Sequence, residues 1–219
     1  MNKTILYHGS VNIVGQPIWG KGKTYNDYGL GFYCTKNLEI AREWACAYSH
    51  AGGYVNKYAL DLKNLNVLDL TNEDYSVLNW IAILVNHRNF HTNSSVSKRA
   101  REFLHNNYYI DVNDYDLIVG YRADDAYFRF AKDFLNNAIS IQKLSKAMQL
   151  GDLGKQVVLK SLKAFEIIKF IDYEVVDNIY YTKRVARDKL AREDYFKLTI
   201  EDENEVFLSD IMRGKTNGI

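Results

Sequence analysis

Proline is almost missing from this chain: Pro17 is the only one in 219 residues. No internal repeat and no low-complexity segment is present either, so collagen-like and repeat architectures are excluded. Cysteine is scarce. Cys34 and Cys46 stand without a pairing pattern, which fits a reducing compartment where thiols stay free. Long apolar runs are lacking: the longest, Trp80 to Val85, is far short of a membrane span, and the opening MNKTILYHGS has no signal-peptide core. Charge of one sign is lacking too, and a net charge of +1 gives no global sign of a nucleic-acid surface. The expectation is a soluble cytoplasmic protein. What is there is an ordinary globular composition, 47% apolar and 25% charged. One full core suffices at this length, so the reading is a single domain over residues 1–176 with a charged, mainly helical tail over 177–219.

The chain is organised around Tyr25 to Trp44, YNDYGLGFYCTKNLEIAREW. Gly29 and Gly31 bracket Leu30, and a residue without Cβ takes positive φ or lets another backbone or a ligand come close. Phe32 and Tyr33 follow. Thr35 or Asn37 then caps a helix that places Leu38, Ala41, Trp44 and Ala45 on one face. A tight, open turn beside a stacking aromatic suits a flat heteroaromatic ligand; the alternative is a strand, a turn and a core helix.

Elsewhere, Lys3 to His8, Tyr54 to Leu60, Leu65 to Leu70, Tyr115 to Gly120, Gln156 to Leu159 and Phe170 to Val176 read as strands. Thr71 with Asp74 forms a capping box for a helix through Val85, Ser94 or Ser95 caps the next, Asp124 or Asp125 opens another, and Ser140 to Leu150 is a fourth. Strands, then helices, then strands again argue α+β. The tail reads as one long helix, basic from Lys183 to Arg192 and acidic from Glu193 to Glu205. It suits internal ion pairs or, alternatively, a docking surface.

Several familiar chemistries are absent. Gly29-Leu30-Gly31 lacks the third glycine and the acid of a dinucleotide fingerprint, and there is no Walker motif. His87 and His91 are spaced as helical metal ligands, but no third ligand is near, and no metal site is expected. Cys34 has no His partner at a spacing that would activate it.

A dispersed set remains. YHGS around His8 and Gly9, GLGFYCT followed by a helix, and Gln156 opening a short β-branched strand together resemble the NAD-binding core of the diphtheria-toxin and PARP-like ADP-ribosyltransferases. The runs NDYGLGFYCTKNLEIAREWA, LNWIAILVNHR, YDLIVGYRADDAYF and KQVVLKSLKAFEIIKF are similar to an uncharacterised bacterial family placed beside those enzymes, over roughly residues 4 to 172.

The resemblance implies a split, mostly antiparallel sheet holding NAD as substrate. His8 would bond the ribose, Gly9 would hold the carboxamide through its backbone, and Tyr33 would stack on the nicotinamide. Gly29, Gly31 and Phe32 would shape the pocket. The family's third position is usually Glu; here it is Gln156, which accepts a 2′-hydroxyl hydrogen bond but carries no charge. A family serine in the following helix is replaced near Ile40, with Thr35 as a candidate substitute, and Asp124 or Asp125 as candidates for the missing carboxylate or as helix caps. The implied activity is mono-ADP-ribosyl transfer to a macromolecular acceptor, protein or nucleic acid. Such families often resemble toxins of toxin–antitoxin or defence systems, which implies a small antitoxin partner. The alternative is a non-catalytic module that binds NAD, ADP-ribose or a protein.

Overall fold

A computed structural model describes residues 3–47, 52–88, 95–123, 125–150, 154–199 and 205–215. Its seven strands are β1 (Lys3–Ser10), β2 (Phe32–Thr35), β3 (Gly53–Asp61), β4 (Val67–Asp69), β5 (Leu117–Tyr121), β6 (Lys155–Leu159) and β7 (Lys169–Val176). They form one sheet in the order β4-β5-β6-β2-β1-β3-β7. Only the β4–β5 pair is parallel; all others are antiparallel. The eight helices among the described residues are α1 (Leu38–Ala45), α2 (Val77–His87), α3 (Ser95–Tyr108), α4 (Asp125–Leu135), α5 (Ile141–Ala147), α6 (Leu162–Ile167), α7 (Ile179–Lys197) and α8 (Leu208–Ile211). The α+β class holds.

Side chains alternate across the strands, so each sheet face carries its own core. Ile118 and Val158 lie under the helical layer, in a cluster built from Leu78, Trp80, Ile81, Leu104, Phe130 and Phe134. Leu6, Cys34, Tyr58, Val157 and Leu159 face the other way, against Phe165 of α6. A third cluster seats Ala41 and Ala45 of α1 on Val55 of β3.

Local chemistry moves several expected boundaries. Phe32 and Tyr33 do not run into the helix; they begin β2, whose four residues pair fully with β6. Asn37 is the cap of α1, accepting from the Glu39 and Ile40 N–H groups, while the Thr35 hydroxyl accepts from Asn37 N–H at 3.1 Å. The capping box of α2 is Ser76 with Asn79. Thr71 cannot serve because Asp69 Oδ1 takes both its N–H and its hydroxyl. Helix α6, capped by Ser161, was not anticipated because six residues are too few to show a helical period.

Among the described residues the tail holds two helices, α7 and α8. Within α7, Lys189 pairs with Glu193 and Arg192 with Asp188, as expected of a solvated helix. Its other face docks: Arg187 bonds Glu43 of α1 at 2.9 Å, and buried Tyr195 stacks on Phe130 at 4.1 Å while its hydroxyl donates to Asp133. Leu208 and Ile211 of α8 join the main core. Glu201, Asp202 and Glu203 lie outside the described residues.

Candidate functional site

The sheet is split in its middle. β1 pairs with β3 through all eight residues, but with β2 only at Tyr7↔Thr35. Beyond that rung the strands diverge, and one side chain bridges the gap: His8 Nδ1–H donates to the Tyr33 carbonyl oxygen at 2.7 Å. A carbonyl oxygen only accepts, so Nδ1 carries the proton. Burial lowers the His8 pKa and keeps the ring neutral, which leaves Nε2 as an acceptor. The ring rests on Phe32, centroids 4.4 Å apart.

A cleft of about 820 Å³ opens at this split, with His8, Gly9, Gly31, Phe32, Tyr33 and Gln156 on its walls. Such a volume suits a small molecule, within the roughly 300–1,000 Å³ of ligand pockets. Its lining is cationic. Among the described residues Arg88, Arg122, Arg184, Lys21 and Lys23 contribute, against one carboxylate, Asp27. Arg122 lies over the Trp44 ring at 4.7 Å, and Arg184 belongs to α7, so the tail contributes to the cleft.

Tyr33 is fixed at both ends. Its hydroxyl donates to Gly29 O at 2.6 Å and accepts from Tyr28 N–H at 3.1 Å, while its ring packs on the main core. Burial holds the phenol protonated. Lys160 Nζ completes the turn by donating to Tyr28 O and Leu30 O at 2.8 and 2.7 Å, and burial brings its pKa down to about 8. Gly29 needs its φ of +70°, yet it sits behind the cleft against His87. At Gly9 a Cβ would meet Ala41 O at 2.0 Å and Ala45 N at 2.5 Å; its bareness lets α1 lie directly on β1.

Gln156 is 3% exposed and Asp27 7%. The glutamine Nε2 donates to Asp27 Oδ2 and to Tyr121 O, each at 3.0 Å. The Tyr121 carbonyl oxygen can only accept, which fixes the amide orientation, and Oε1 accepts nothing from the described residues. Asp27 Oδ2 also accepts Ala123 N–H at 2.9 Å, and Arg88 approaches Oδ1 at 3.7 Å. Burial raises the Asp27 pKa against these opposing contacts. By local sequence Asp27 is a turn-type residue before Gly29; only its long-range contact with Gln156 marks it.

The other candidates are elsewhere. Thr35 lines a separate depression with Lys36, Asn37 and Lys155, and its hydroxyl donates to Lys155 O at 3.3 Å. Ile40 is a core residue. Cys34 is fully buried, and burial raises its thiol pKa far above the reactive range. Asp124 and His91 lie outside the described residues, as does the side chain of Asp125, which opens α4.

No match was found among curated proteins or among solved structures. Residues 4–170 match the model of a family described as "Protein of unknown function (DUF3990)", and the chain belongs to that family.

Proposed function

We propose that this protein is an NAD-dependent mono-ADP-ribosyltransferase. The observation that carries the reading is the convergence of His8, Tyr33 and Gln156, from three different strands, on one cation-lined cleft at the split of the sheet. The pinned Tyr33 ring offers a face for nicotinamide stacking, a contact worth about 1 kcal/mol. Neutral His8 offers Nε2 to a ribose hydroxyl, and Gln156 offers Oε1 to another. Arg88, Arg122 and Arg184 suit a diphosphate, for which arginine forks are the natural partners.

In the reaction, the bond between ribose C1′ and the nicotinamide nitrogen breaks and its electron pair leaves with neutral nicotinamide. The oxocarbenium-like centre is then captured by a nucleophile on a macromolecular acceptor, forming a C1′ bond and releasing one proton. Orienting the leaving group and the ribose is the site's contribution. A toxin or defence role, with a small antitoxin partner, rests on the family resemblance alone.

A second reading, a non-catalytic NAD- or ADP-ribose-binding module, draws on the uncharged amide at Gln156 and on its tie to a buried network. Nicotinamide release from NAD, with cell lysate as acceptor source, separates the two. The enzyme reading expects release by the wild type that needs lysate and is lost in His8→Ala, Tyr33→Ala and Gln156→Ala. Tight NAD binding without release favours the module.

A further inference from the structure

We infer that Asp27 is the positioning residue of this site, acting through Gln156 and supplying from behind the amide the negative charge that glutamine lacks. The inference rests on the transferase reading. Its basis is geometric: Asp27 Oδ2 and Gln156 Nε2 are 3.0 Å apart, both side chains are almost fully buried, and Asp27 reaches the wall of the same cleft.

Three consequences follow from elementary chemistry. First, a carboxylate and the Tyr121 carbonyl on the amide nitrogen fix Oε1 in the opposite direction, so the acceptor of Gln156 that no described residue uses is set without rotamer search. Second, an N–H bonded to an anion is polarised, and the amide oxygen becomes a stronger acceptor; in a water-poor site that effect is not screened. Third, the acceptor strengthened in this way is the one offered to the ribose hydroxyl beside the carbon that becomes cationic. A contact that improves as positive charge develops lowers the barrier more than it tightens substrate binding.

The groups around Asp27 fit a charge that is held in place. Arg88, at the end of α2, and Arg122, after β5, lower its proton affinity; Tyr28 and Tyr33 are the phenols whose own ionisation it opposes. The Ala123 N–H bonds the same oxygen that Gln156 uses. Burial works against ionisation, and the two arginines and the two N–H donors work for it.

Two substitutions test the role. Asp27→Asn keeps shape and one acceptor oxygen but removes the charge. Nicotinamide release should fall about 100-fold in kcat, the size of a removed electrostatic contact in a desolvated site, with KM within about threefold and the melting temperature nearly unchanged. Gln156→Glu places the residue usual in the ADP-ribosyltransferases that the chain resembles, yet here it sets one carboxylate against another and against the Tyr121 carbonyl. It should lower kcat by at least about tenfold. Unchanged kcat in Asp27→Asn, or a higher kcat in Gln156→Glu, overturns the role of Asp27 while leaving the transferase reading intact. A wild-type protein that binds NAD but releases no nicotinamide overturns both.

Discussion

The two sides of the split hold their site residues in opposite ways. On the β1 side, His8 is tied by one hydrogen bond to Tyr33 O and by contact with Phe32. On the β6 side, Gln156 is one member of a buried network that includes Asp27, Tyr121, Ala123 and Arg88. The difference teaches that residues proposed for similar roles toward a ligand can carry different structural costs. Removing His8 trims an edge of the cleft. Removing Asp27 leaves several buried polar groups without their acceptor.

The strongest challenge to that contrast is Gly9, which lies on the lenient β1 side but has α1 backbone where its Cβ would stand. Gly9→Ala should cost about 3 kcal/mol, the upper end of overpacking, because backbone yields less readily than a side chain. Chemical denaturation measures it. Asp27→Ala comes next, with about 2 kcal/mol lost as the Ala123 N–H and the Gln156 amide lose a shared acceptor. His8→Ala should cost about 1 kcal/mol, one hydrogen bond, and on the transferase reading it should abolish nicotinamide release. If His8→Ala proves as destabilising as Asp27→Ala, the contrast fails.

The two sides also differ in the sign of their pH response. The His8 pKa is lowered from 6.5, so as pH falls below 6.5 the unfolded chain takes up the proton first. Stability then declines with acidification down to the folded pKa, and His8→Ala should flatten that slope. The Asp27 pKa is raised from 3.8, so in the window above 3.8 the folded chain holds the proton longer. Stability there falls as pH rises through the folded pKa, and Asp27→Asn removes that contribution. Urea midpoints measured across pH for the wild type and both variants would resolve the two slopes. Smallest of all is Thr35→Ser, which keeps the hydroxyl bonds to Lys155 and Asn37 in a separate depression; nicotinamide release should change less than about twofold.

Much of this was legible in the chain itself. The strand that carries His8, the glycine-bracketed turn before Phe32 and Tyr33, and the polar start of the Gln156 strand each follow from local rules of turns and alternation, although the first strand runs on past His8 to Ser10, where pairing with β3 outweighs the glycine. What stayed hidden depends on contacts distant in sequence. Asp27 looks like a turn residue because its partner is 129 positions away. Gly9 and Gly31 look like ligand-facing glycines, yet each also meets packed backbone, from α1 and β6 respectively. Arg184 belongs to a helix that reads as a solvated tail, and only the docking of α7 through Arg187 and Tyr195 brings it to the cleft. Thr71 seemed a cap until Asp69 claimed its hydroxyl.

On the transferase reading, both sides of the split hold one NAD molecule. Backbone hydrogen exchange, measured with and without saturating NAD, tests it most directly. Slowed exchange is expected at His8 to Ser10 and at Gly29 to Tyr33 together, with loss of both effects in Tyr33→Ala. Protection confined to one side, or protection elsewhere with none at the split, would contradict it.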